Sequence, residues 1–206
     1  MNKIYNFLRY IYQVYILKAR FSNKEKNKFA LFGNNSEIEL PCHLVNNQHL
    51  ISIGNNTTIL QGSRMQLYPE LVNNIPHIKI GSNCYIGFNV TLLAGADIII
   101  GDRVLFASNI LVTTENHGMD PENIVPYMHQ KLECEPVYIG DGTWLGEKVC
   151  VMPGVTIGKK CIIGALSVVT KPIPDYCIAA GTPAKVIKKY NFKYHQWVKV
   201  TENGEK

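Results

Sequence analysis

No CxxC pair occurs anywhere in the 206 residues, so neither a zinc knuckle nor a thioredoxin-type motif is supported. The six cysteines, Cys42, Cys84, Cys134, Cys150, Cys161 and Cys177, stand singly and read as reduced thiols of a cytosolic protein. A bilayer-spanning apolar run is also missing. The richest candidate, "MNKIYNFLRYIYQVYILKAR", is interrupted by Lys3, Arg9, Lys18 and Arg20, and no small-residue cleavage site follows it. Lys and Arg form no dense block. A net charge of +5 admits an anionic ligand or a membrane surface without demanding nucleic acid. The histidines, at 43, 49, 77, 117, 129 and 195, lack the spacing of a three-histidine zinc site, so no metal is expected.

What the chain does contain is a beat of six. Ile139, Leu145, Val151, Ile157, Ile163 and Val169 form the clearest run, with glycine after the aliphatic at 140, 146, 158 and 164. An earlier run has Ile80, Ile86, Leu92 and Ile98. The phase then slips by two and continues through Ile100, Phe106 and Val112, and a weaker start lies at Ile53, Ile59 and Met65. Period six fits neither a helix nor simple strand alternation. It fits a chain that turns a corner every six residues, with three short strands to a coil. Four positions after each aliphatic comes a small or β-branched residue, among them Thr57, Cys84, Ala96, Thr143 and Cys161, which suits a second, tighter inward site. Stacked coils of this kind make a parallel β-helix, whose ends need caps.

On this basis residues 1–25 form an amphipathic N-terminal segment, with Ile4, Phe7, Leu8, Ile11 and Tyr15 at helical spacing. Its apolar face either packs on the protein or a neighbouring subunit, or lies on a membrane surface through residues 1–20. Residues 26–182 form the β-helix domain, with an inserted loop at 113–136 where the beat stops. Residues 183–206 form a C-terminal helical cap and tail, Thr182-Pro183 reading as the helix start.

The hexads, the loop carrying "ENHG", the later "IGDGTWLGEKVCVMPGVTIG" and the ending "AAGTPAKVIKKY" resemble the hexapeptide-repeat acyltransferases, in particular the galactoside/maltose O-acetyltransferase group that includes capsule and colanic-acid enzymes. The resemblance covers roughly residues 50–190 and implies an all-β, left-handed parallel β-helix, a homotrimer with active sites between subunits, and acetyl-CoA as acyl donor. It implies a cytoplasmic enzyme, at the inner face of the membrane if residues 1–20 bind lipid. The acceptor expected is a saccharide or lipid-linked saccharide hydroxyl in capsule, exopolysaccharide or O-antigen biosynthesis. Transfer to an amino sugar and a non-catalytic scaffold are the alternatives.

An alcohol is a poor nucleophile at neutral pH, and the imidazole of His117, which matches the family's catalytic histidine, suits a general base. Glu115 is expected to orient it. The oxyanion donor is expected at the Gly146-Glu147 turn, from a backbone amide alone, so that the Glu147 side chain need not matter. Asn89 is expected to hold the acceptor. Trp144, ending its hexad, is expected to point outward and line the substrate and cofactor channel. Gly164 and Ala165 would let the pantetheine arm approach, while Thr170, Lys171, Lys185 and Lys188 would meet the phosphates of coenzyme A. Acidic residues that some sugar acetyltransferases carry are here Ala94 and Gly95, a departure that bears on the acceptor. With no cysteine or serine where an acyl-enzyme would form, direct transfer in a ternary complex is expected.

Overall fold

In the computed structural model, which describes residues 3–12, 20–44, 47–201 and 204–205, the hexads wind into a left-handed, three-faced parallel β-helix. The first face stacks Leu31–Phe32, Ile51–Ile53, Ile78–Ile80, Ile98–Ile100, Val137–Ile139 and Thr156–Ile157. The second begins with Glu37–Ile38, Thr58–Ile59, Tyr85–Ile86, Leu105–Phe106, Trp144–Leu145 and Ile162–Ile163. The third holds His43–Leu44, Arg64–Leu67, Thr91–Ala94, Leu111–Thr113, Cys150–Val151 and Val168–Val169. The aliphatic beat becomes inward columns. On the first face Ile53, Ile80, Ile100, Ile139 and Ile157 are in register, and all are buried. The slip of two is a widened coil. Ile98 pairs with Ile78 and Ile100 with Ile80, so two extra residues enter before Ile98. Ala96 sits in that widening and is only partly buried, unlike Thr57, Cys84, Thr143 and Cys161.

The corner from the first to the second face is the same in every coil. A residue with left-handed backbone stands there each time: Asn35, Asn56, Asn83, Arg103, Gly142, Lys160 and Tyr176, with φ between 54° and 65°. Asparagine and glycine tolerate that region best, and four of the seven are of those types. The next residue points inward, and in most coils its side chain bonds to the adjacent coil. The Thr57 hydroxyl donates to the Gly81 carbonyl (2.7 Å) and accepts from the Cys84 amide (3.1 Å). Thr143 repeats this with Gly158 and Cys161, at 2.8 and 3.1 Å. The Cys84 and Cys161 thiols donate in turn to carbonyls of the following coil. Burial pushes the Cys161 thiol up to about 11, so these sulfurs act as core hydrogen-bonding groups and all six cysteines are unpaired.

One end piece differs from the expectation. The C-terminal segment is not a helix. Gly181, with φ at 109°, and the cis-linked Thr182-Pro183 turn the chain back, and Ala184–Asn191 pairs antiparallel with Cys177–Gly181. Gln196–Thr201 adds another strand. The last coil leaves an open sheet edge with unpaired amides and carbonyls. Alternating "AKVIKKYN" satisfies that edge, burying Ala184 and turning Lys185 out, and this gain outweighs the helix start at Thr182-Pro183. At the other end the first coil begins at Leu31, well before the recognised beat, behind the short helix α2 (Asn23–Lys26) with its Ser22/Glu25 capping box.

The amphipathic start forms the preceding helix α1 (Lys3–Ile11), which buries none of its residues. Tyr15 of the expected face, and Lys18, lie outside the described residues. Among the described residues no helix is long and apolar enough to cross a membrane.

The corner bonds should be measurable in stability. Thr143→Val keeps the shape but leaves the buried Cys161 amide unpaired. We expect a loss of about 1–3 kcal/mol in denaturant unfolding, and a smaller loss for Thr143→Ser, which retains the hydroxyl.

Candidate active site

The third face ends at a corner unlike the other two. Four residues separate the strands at each regular corner, but here ten separate Leu67 from Ile78, three separate Ala94 from Ile98, and twenty-three separate Thr113 from Val137. The longest connection is the expected loop. Its limbs form a two-stranded antiparallel ribbon, with Glu115 opposite Cys134 and Asn116 opposite Glu133. His117 follows directly, exposed, in a shallow hollow with Met119 and Tyr127. Gln130 braces the loop from within, bonding Asp120 and Val125.

Glu115 is half-buried. One carboxyl oxygen is shut away from solvent without a hydrogen-bond partner. It leans over Gly95, where an added Cβ would lie 3.2 Å from that oxygen and 2.5 Å from the Cys134 sulfur. Desolvation pushes the carboxyl up to about 7, against the opposing pull of the Arg64 guanidinium. The same charge helps raise Tyr68 and Cys134, although burial is the larger cause for both. No hydrogen bond links Glu115 to His117 in the described residues. The carboxylate faces the coils before it, so the structure does not bring the expected orienting pair together. Arg64 and Tyr68 were not anticipated, and the available signal was the beat failing between Met65 and Ile80.

The other expected residues fall on different parts of the prism. Asn89 occupies the second regular corner, with φ at 55°, and its amide donates to Asn109 at 3.4 Å. It is a corner residue there, and His117 leaves from the next corner. Trp144 points outward as expected, in a column with Tyr85, Leu105, Ile162 and Ile178. Lys188 pairs with Ile178 and Lys185 with Ala180, extending that outward column into a basic edge. The exposed Thr170 and Lys171 follow the last strand of the third face instead. Ala165 is exposed beside Gly164, whose added Cβ would meet Ala180 at 2.9 Å.

At the Gly146-Glu147 turn the Gly146 amide is already donated to the Ile163 carbonyl at 2.8 Å. The Glu147 amide has no described protein acceptor. The Glu147 side chain does matter to the fold: it accepts from the Ser108 amide (2.9 Å) and the Asn109 side chain (2.6 Å), bonds that hold its carboxyl below the usual range. No cluster of three or more metal-ligating side chains occurs among the described residues.

Residues 136–171 match the family described as "Bacterial transferase hexapeptide (six repeats)", and residues 77–114 match "Hexapeptide repeat of succinyl-transferase". WbbJ of Escherichia coli K12, named as a lipopolysaccharide biosynthesis O-acetyl transferase, is 37% identical over 82% of this chain and 87% of its own length. The galactoside O-acetyltransferase of the same organism is 33% identical over 81% of this chain and 66% of its own. Among solved structures, AntD, an N-acyltransferase from Bacillus cereus in complex with dTDP and coenzyme A, superposes with a TM-score of 0.69 at 26% identity, covering 85% of this chain and 93% of that one. Solenoid, loop and relatives together define an acyltransferase that uses a coenzyme A thioester. The chain belongs to the galactoside O-acetyltransferase-like group of the hexapeptide-repeat acyltransferases.

The perturbed carboxyl gives a pH signature. Because the folded state raises the Glu115 carboxyl above its ordinary value of 4.5, its contribution to stability is full below 4.5 and is lost as pH rises through about 7. Glu115→Gln carries no charge at any pH. Its melting temperature relative to the parent protein should therefore climb between those two limits and level off above them, as read by thermal denaturation across pH.

Proposed function

We propose that this enzyme moves the acetyl group of acetyl-CoA to a hydroxyl of a saccharide in glycan biosynthesis, such as capsule, exopolysaccharide or O-antigen, with His117 as general base. The observation that carries the reading is the placement of His117. It is the exposed histidine at the root of the large loop, on a frame whose other two corners are uniform. An imidazole there takes the proton from the acceptor hydroxyl as its oxygen attacks the thioester carbonyl. In this reading the Glu147 amide donates to the resulting oxyanion. Coenzyme A leaves as the thiol, the proton passing from the imidazolium to its sulfur. The hollow at His117 holds Asn116, Gly118, Met119 and Tyr127, none of which forms an acyl-enzyme readily, which supports direct transfer.

One chain separates His117 from the Trp144 column and the Lys185/Lys188 edge by a corner of the prism. A site that uses both draws them from two copies, which supports the symmetric trimer. The exposed apolar column on the second face and the exposed Ile124 and Met128 of the loop suit such packing. Helix α1, with Phe7 and Leu8 exposed beside Arg9, suits a membrane surface and thus a lipid-linked acceptor.

The match to an N-acyltransferase favours a second reading, transfer to an amino sugar. A screen of acetyl transfer across hydroxyl and amino saccharides separates the two. An ester product is released by mild alkali and an amide is not. For the base, His117→Ala should lower turnover by roughly 10²-fold or more while coenzyme A still binds in calorimetry; near-normal turnover overturns the assignment. For the helix, removing residues 1–20 should reduce sedimentation with anionic liposomes while turnover of soluble acceptors survives.

A further inference from the structure

The regular corner between the second and third faces carries a ladder of amide caps, and the ladder stops at Glu147. Two residues after the paired aliphatics of the second face, Gln61, Phe88, Ser108, Glu147 and Ala165 fall in register from coil to coil. The backbone there repeats. The amide of the following residue donates to the carbonyl of the ladder residue one coil earlier: Asn89 to Gln61 at 3.2 Å, Asn109 to Phe88 at 2.8 Å, Lys148 to Ser108 at 3.0 Å and Leu166 to Glu147 at 2.8 Å. Each of those donors has left-handed backbone, with φ between 55° and 61°.

With the backbone constant, the ladder side chain decides whether the ladder amide of the coil before is capped. The Ser108 hydroxyl accepts from the Phe88 amide at 3.1 Å, and the Glu147 carboxylate accepts from the Ser108 amide at 2.9 Å. Phe88 carries no acceptor, and the Gln61 amide that it follows has no described protein partner. Ala165 likewise carries none, and the Glu147 amide is open. The Ala165 amide is open for the same reason, since Gly181 stands next in register. Two consecutive open amides therefore lie about one strand spacing apart, roughly 4.8 Å, beside the outward column of Trp144 and Ile162.

Glu147 is otherwise fully engaged. Its carboxylate is held by the coil before, through Ser108 and Asn109, and its carbonyl by the coil after, through Leu166. The residue is thus fixed from both sides with only its amide uncommitted. A donor fixed in this way meets developing charge without first breaking a bond, whereas a capped amide would have to give one up. We propose that Ala165 is a positioning residue: by carrying no acceptor where the ladder has a place for one, it keeps the Glu147 amide free for the oxyanion of acetyl transfer. The inference rests on the oxyanion role proposed above for that amide and adds the residue that makes it available.

The test puts the missing cap back in the full-length enzyme. Ala165 is exposed, so Ala165→Ser has room, and its hydroxyl would stand to the Glu147 amide as Ser108 stands to Phe88. Ala165→Cys adds at least as much bulk with a much weaker acceptor, so the pair separates a captured amide from lost room for coenzyme A. Amide hydrogen exchange read by NMR, corrected for intrinsic rates, should be about tenfold or more faster at Glu147 than at Phe88 and Ser108 in the parent enzyme. Ala165→Ser should slow Glu147 to their level, and Ser108→Ala should speed Phe88. The serine variant should fall below the cysteine variant in kcat by about tenfold or more, with the same KM for acetyl-CoA in both. A Glu147 amide already slow in the parent, one that stays fast in Ala165→Ser, or a Phe88 amide indifferent to Ser108→Ala overturns the inference and leaves the oxyanion reading standing. A slowed Glu147 amide with equal kcat in the two variants overturns the oxyanion reading, and the inference with it. The parent and Ser108→Ala measurements decide the ladder even if Ala165→Ser fails to fold.

Discussion

The hydrogen-bonded register between coils is the constraint on which the rest depends. No coil can satisfy its own strands, because each strand's amides and carbonyls meet only the coil before and the coil after, about 4.8 Å away. Register therefore has to be held over every coil at once. Slipping one residue would turn the inward column Ile53–Ile80–Ile100–Ile139–Ile157 to solvent. Two side-chain devices resist that slip. Buried hydroxyls and thiols such as Thr57, Cys84, Thr143 and Cys161 stitch one corner, and an amide or carboxylate at the turn caps the preceding coil, as Asp102 does for the Ser82 amide and Asp141 for the Asp102 amide.

This constraint also explains where the molecule becomes irregular. At the first two corners the turn length, the left-handed residue and the inward residue recur almost unchanged, so an insertion there would break a bonded column. The third corner has no such column: Gly154 is its one residue of positive φ in the described strand-to-strand turns. Connections of different length are tolerated there, since loop length costs little entropy once the strands on either side are fixed. The solenoid thus directs its variation to one edge, and His117 and Glu115 both lie along it. Chemistry placed on loops above a rigid frame follows from the pairing rules of the frame.

The sequence conveyed the frame because every coil repeats the same physical demand. The period of six, the inward small residues and the loop at 113–136 were readable, as was the outward aim of Trp144. What escaped it was non-repetitive. The first coil at Leu31 lacks the glycine-aliphatic rhythm in its later strands, and the 68–77 connection appeared only as a weak stretch of the beat. The C-terminal segment misled because Thr-Pro followed by basic residues is a sound local helix signal, yet the open edge of Cys177–Gly181 was invisible from the sequence. At Asn89 the repeat did not reveal the left-handed corner that this residue fills.

The absence of an acidic residue at Ala94 and Gly95 acquires a physical meaning in this setting. Gly95 leaves room on the third face, and the ribbon of the next coil fills it with the Cys134 sulfur and the Glu115 carboxylate, the sulfur closer than a side chain at 95 would permit. A carboxylate is therefore kept at that place, carried by the ribbon that also carries His117 instead of by the wall. The consequence is coupling: whatever shifts the ribbon moves His117 and the carboxylate together. Burial also leaves the carboxyl poised near neutrality, whereas a residue exposed on the wall would stay ionised. His117 and the buried carboxyl thus share one insertion, set beside a widened coil on a frame that confines such departures from the hexad to that corner.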